Sequence, residues 1–89
     1  MSQVYVTIKL MPKSLDINLE DIKKEVENVI IKNQGRLIEA KEESVAFGLK
    51  ALVVQFSINE NQDLESIEKE LQTKESVNSV SIIEMSRAL

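Results

Sequence analysis

Residues 3–11, QVYVTIKLM, alternate between apolar and polar positions. Val4, Val6, Ile8 and Leu10 fall on one face, and Gln3, Tyr5, Thr7 and Lys9 on the other. A period of two with β-branched residues predicts a half-buried strand, which Pro12 ends because proline cannot donate to a ladder. From Leu19 the period changes. Leu19, Ile22, Val26, Val29 and Ile30 step by three and four, which predicts a helix over about 19–33. Asn18 is a suitable N-cap, Glu20 and Asp21 suit the positive end of the helix dipole, and Gly35 offers a C-terminal stop.

Residues 36–44, RLIEAKEES, predict a charged strand of the kind found at sheet edges. Residues 48–58 predict the strongest strand. Leu52, Val54, Phe56 and Ile58 share its core face, and Leu49, Ala51 and Val53 leave an apolar patch on the other. Leu64, Ile67 and Leu71 form the stripe of a shorter helix over 64–72. Residues 77–89 predict a last strand. Its apolar phase passes from Val80 and Ile82 to Ile83 and Met85, marking a bulge or the end of pairing.

Two β-α-β halves in this order predict an α+β, ferredoxin-like split β-α-β sandwich (βαββαβ), a four-stranded antiparallel sheet with two helices on one face. The other sheet face is left to water or a partner.

Length adds that one domain over residues 1–89 is expected. The absence of cysteine removes disulfides, thiolate metal sites and cysteine nucleophiles, and favours a reducing cytoplasm. The absence of histidine removes the commonest acid–base group and the commonest zinc ligand. A net charge of −4 is opposite in sign to that of most nucleic-acid binders. No apolar run reaches the roughly 18–20 residues of a bilayer span, and no signal-peptide pattern opens the chain.

Because this fold hosts many functions, function must come from a site. A base-stacking platform needs exposed aromatics on the first and third strands, and only Tyr5 is offered. The loop after the first strand, MPKSLDIN, has neither glycine nor arginine to hold a phosphate, and no phosphate-binding glycine loop occurs elsewhere. The carboxylate neighbours Glu42–Glu43 and Glu25/Glu27 read as solvated surface charge. The inventory supports a binding or regulatory module rather than an enzyme acting on a small molecule.

Three segments carry a family resemblance: VTIKLMP followed by NLEDI, the stretch VAFGLKAL, and the terminal strand VNSVSII ending in MSRAL. With these the chain resembles the translation elongation factor 1-beta family, in its short archaeal type. The resemblance implies the exchange domain alone, acting as a guanine-nucleotide exchange factor that promotes GDP release from elongation factor 1-alpha so that GTP can rebind. It implies no catalytic residue, cofactor or metal of the chain's own; the GTPase partner carries the nucleotide and Mg²⁺. It implies partner contacts at Phe47, an aromatic at the tip between the second and third strands, with Gly48 shaping the backbone and Lys50 following on the surface. Arg87 is the terminal base, where eukaryotic relatives carry a lysine; it departs from them in chemistry and by one position. Pro12 and Lys13 rank third. No direct nucleic-acid or membrane contact is implied. A monomer is expected, with a dimer as the open alternative. The competing reading is a ligand-binding or dimerising regulatory domain without exchange activity, motivated by the outward patch of Leu49, Ala51 and Val53.

Overall fold

The computed structural model describes residues 2–87. Its elements run β1 (Gln3–Pro12), α1 (Leu19–Lys32), β2 (Arg36–Ser44), a 3₁₀ turn (Ala46–Gly48), β3 (Lys50–Asn59), α2 (Leu64–Gln72) and β4 (Val77–Arg87). The sheet order is β2-β3-β1-β4, and every pairing is antiparallel. This is the ferredoxin-like arrangement that the two β-α-β halves predict.

The core follows from the two periodicities. Val6, Ile8 and Leu10 of β1 and Leu52, Val54, Phe56 and Ile58 of β3 turn one sheet face toward the helices, and all are buried. Ile22, Val26 and Ile30 of α1 and Ile67 and Leu71 of α2 close over them. Full burial of each such side chain contributes about 1.5–3 kcal/mol. The helices start where side chains satisfy their first amides. Asn18 Oδ1 accepts from Glu20 N–H at 2.9 Å, and Asp63 Oδ1 accepts from Glu65 N–H at 3.0 Å.

The end of α1 differs from the sequence expectation. The left-handed residue is Gln34 (φ 63°), not Gly35. Gln34 N–H donates to Ile31 O at 2.9 Å and Gly35 N–H to Ile30 O at 2.8 Å, the paired bonds of a Schellman motif. Glycine is needed one position later for packing. A Cβ on Gly35 would sit 2.9 Å from Ile30 Cγ2, from Ile58 Cγ2 and from Ser57 O.

The outward patch is also corrected. Ala51 and Val53 do lie on the face away from the helices, but both are buried and only Leu49 is partly exposed. Val53 stands between Lys9 and Lys41, and Ala51 opposite Glu43. The alkyl stems of these long side chains cover apolar neighbours while their heads stay wet, and Lys9 Nζ lies 3.9 Å from Glu43 Oε2.

The phase change in β4 is a bulge. Ile82 stands opposite Ile8 and Glu84 opposite Thr7, so Ile83 is the extra residue, and pairing continues to Arg87 opposite Val4. Residues 88–89, the predicted end of this strand, lie outside the described residues.

Candidate functional site

The β2–β3 hairpin closes through residues 45–49. Val45 N–H donates to Leu49 O at 2.8 Å, and Leu49 N–H donates to Ala46 O at 3.3 Å. The chain reverses inside this small ring by taking two consecutive left-handed residues, Phe47 (φ 62°) and Gly48 (φ 76°). The second strand of the hairpin therefore begins at Lys50, two positions later than the sequence pattern suggests. Left-handed backbone is ordinary for glycine and uncommon for a bulky side chain. The turn throws the Phe47 ring outward, where it is 95% exposed, the most exposed large apolar side chain among the described residues. Hydrophobicity alone would bury this ring, so its position runs against the principal driving force of folding.

The other expected contacts fall into two groups. Lys50 is exposed, and its Nζ lies 3.7 Å from Glu42 Oε1 across the hairpin. Lys13 is exposed just beyond β1, with its N–H donating to Ser76 O at 3.0 Å. Pro12 is buried opposite Val77, so its ring is largely withdrawn from the surface on which a contact would have to be made. All three lie at the end of the sheet where β1 finishes and β3 begins, together with Gly48 and Phe47. Arg87 is not brought to them. It stands opposite Val4, at the other end of β1. The intervening strand spans roughly 30 Å. Arg87 Nη1 lies 3.7 Å from Glu60 Oε2 with its side chain 74% exposed.

One residue at the Phe47 end has no counterpart among the sequence candidates. Leu15, in the loop after β1, is 67% exposed. It borders an open groove of about 310 Å³ lined also by Pro12, Ile17, Gly48, Leu49 and Lys50. The antiparallel pairing of β1 with β3 places this loop beside the Phe47 turn. The visible signal was a lone leucine in the polar loop KSLDIN, outside either periodic pattern.

Among the described residues, no group of three or more Asp and Glu side chains is arranged to hold a metal ion. The Asp63 carboxyl is displaced in its titration, and it serves the fold. The Ser66 hydroxyl, the Ser66 and Glu65 backbone N–H groups and the Lys69 charge hold it below the usual range, against the opposing effect of desolvation.

A two-layer α+β sandwich that offers an aromatic ring on a closed turn, beside a second exposed apolar side chain, has the form of a protein-contact module. Comparison with known proteins specifies which. Residues 5–88 match the EF-1 guanine nucleotide exchange domain. The chain is 34% identical over 90 residues to elongation factor 1-beta of Methanothermobacter thermautotrophicus, covering 100% of each. It is 33% identical over 89 residues to that of Methanocaldococcus jannaschii, covering 99% of this chain and 100% of the relative. The chain belongs to the elongation factor 1-beta family, the guanine-nucleotide exchange factors of elongation factor 1-alpha in translation elongation.

Solved structures support the fold alone. Ribosomal protein S6 of Thermotoga maritima superposes with a TM-score of 0.67 at 12% identity, covering 99% of this chain and 89% of that one. The ACT domain of GTP pyrophosphokinase from Chlorobium tepidum gives 0.65 at 14% identity, covering 91% and 99%. No helix among the described residues is long and apolar enough to cross a membrane.

Proposed function

We propose that this chain speeds GDP release from elongation factor 1-alpha by docking the Phe47 end of its sheet on the GTPase. The observation that carries the reading is the 95% exposure of Phe47 on a hydrogen-bonded turn, in a chain that matches an exchange domain over residues 5–88. A ring held out in water gains most when a partner pocket takes it up, which is how aromatic anchors come to dominate interfaces. Leu15 adds apolar area beside it, and Lys13 and Lys50 supply charge at the rim.

The mechanism is linkage. A factor that binds the GTPase better with its nucleotide site distorted weakens GDP, and GDP weakens the factor by the same ratio. Mg²⁺ and the groups cradling the phosphates are the strongest holds on a bound nucleotide, so distortion there is the most effective. No bond is made or broken by the factor, which needs no catalytic residue, cofactor or metal of its own. Arg87 is a second contact, a strand's length away. Its exposed pair with Glu60 is worth about 1 kcal/mol at most, little to give up on docking. The module works as a single domain over residues 1–89, in the cytoplasm, without direct contact to nucleic acid or membrane.

The regulatory-domain alternative loses its motive, because Ala51 and Val53 of its binding patch are buried. The test is stopped-flow release of a fluorescent GDP from preloaded elongation factor 1-alpha. Release should accelerate with added protein and saturate. An unchanged release rate at micromolar protein would refute the reading.

A further inference from the structure

The Phe47 turn holds two observations that combine. Phe47 occupies the left-handed region although it is a bulky L-residue, and Gly48 follows in the same region at φ 76°. A Cβ added to Gly48 would meet nothing within 4 Å. Gly48 is therefore not demanded by crowding inside the molecule. What the position demands is its backbone angle.

We infer that Gly48 is a positioning residue for nucleotide exchange: its left-handed backbone holds the turn in the form that projects Phe47, so the anchor is set before the GTPase arrives. The inference rests on the reading of Phe47 as the partner anchor. The two backbone hydrogen bonds between Val45 and Leu49 and between Leu49 and Ala46 fix the ring only while both residues stay left-handed. An L-residue at 48 shifts the turn toward other conformations, in which the phenylalanine points elsewhere. The apparent affinity for the partner then falls by the fraction of chains still competent to bind. The chemistry at the nucleotide site is untouched, so the plateau rate of exchange is unchanged.

The stereochemistry of one methyl group tests this. Semisynthetic chains carry L-alanine or D-alanine at position 48. Both add the same carbon, but D-alanine favours positive φ and L-alanine disfavours it. Gly48→Ala with the L-residue should raise the concentration of factor giving half-maximal GDP release by about tenfold, with the plateau retained. The D-alanine chain should match or exceed the glycine chain. A role in loop folding alone would leave half-saturation unmoved in chains shown to be folded by circular dichroism. Equal half-saturation for the L- and D-alanine chains would overturn the inference, as would a loss shared by both, which would mean that the added methyl obstructs the partner. If the unaltered chain fails to accelerate release at all, it is the exchange reading that fails; if it is active and the two chains are alike, only the positioning role of Gly48 does.

Discussion

At the scale of single residues, exposure and backbone angle separate function from packing. Phe47 makes no contribution to the core, so Phe47→Ala should leave the melting temperature within about a degree or two while raising half-saturation in exchange about thirtyfold, the effect of an anchor worth ~2 kcal/mol. Thermal denaturation and GDP-release titration check the two halves. Gly35 is the opposite case. Its hydrogen faces Ile30, Ile58 and the Ser57 carbonyl at distances a methyl cannot occupy. Gly35→Ala should cost about 1–3 kcal/mol of stability by overpacking, seen as a lower urea midpoint, with exchange per folded molecule unchanged. The sequence places one glycine beside an aromatic and the other after a helix, and both read as turns. The fold distinguishes them: Gly48 is kept for its φ and Gly35 for its missing side chain.

At the scale of elements, caps and periodicity carry the fold. The Schellman turn closing α1 seats Gln34 at φ 63°. Gln34→Gly should therefore stabilise the protein by up to about 1 kcal/mol, a rise of several degrees in melting temperature. At α2, Asp63 accepts from Glu65 N–H and from the Ser66 hydroxyl, and its folded pKa is lowered. Its stabilisation is complete above the unfolded carboxylate pKa and is lost as pH falls through the folded one. Asp63→Ala should lower the melting temperature near neutral pH, and the gap from the parent should close in acid. Melting curves across pH give the answer. The strands and helices were legible because their apolar residues repeat at two or at three to four. The start of β3 was not, because Leu49 and Phe47 continue an apolar run while hydrogen bonds outside any periodicity close the turn. The burial of Ala51 and Val53 was hidden too, since the side chains beside them, Lys9 and Lys41 at Val53 and Glu43 at Ala51, belong to neighbouring strands.

At the scale of the whole molecule, the strand order decides which candidates can act together. Phe47, Gly48, Lys50 and Lys13 share one end of the sheet, and Arg87 lies at the other. Chain position alone could not reveal this separation, because it depends on β1 lying antiparallel to both β3 and β4. It also brought Leu15 beside the Phe47 turn. Arg87→Ala should consequently add to Phe47→Ala in free energy, within about 0.5 kcal/mol, as distant sites do. A double-mutant cycle in the release assay would reveal any stronger coupling. The central claim is reciprocity between this chain and the nucleotide. Calorimetric titration of elongation factor 1-alpha measures it most directly, comparing the nucleotide-free GTPase with the GDP·Mg²⁺ form. The account predicts tighter binding to the nucleotide-free form, with Phe47→Ala weakening both. Equal affinity for the two forms would contradict it, since a protein that does not discriminate between them cannot drive the nucleotide off.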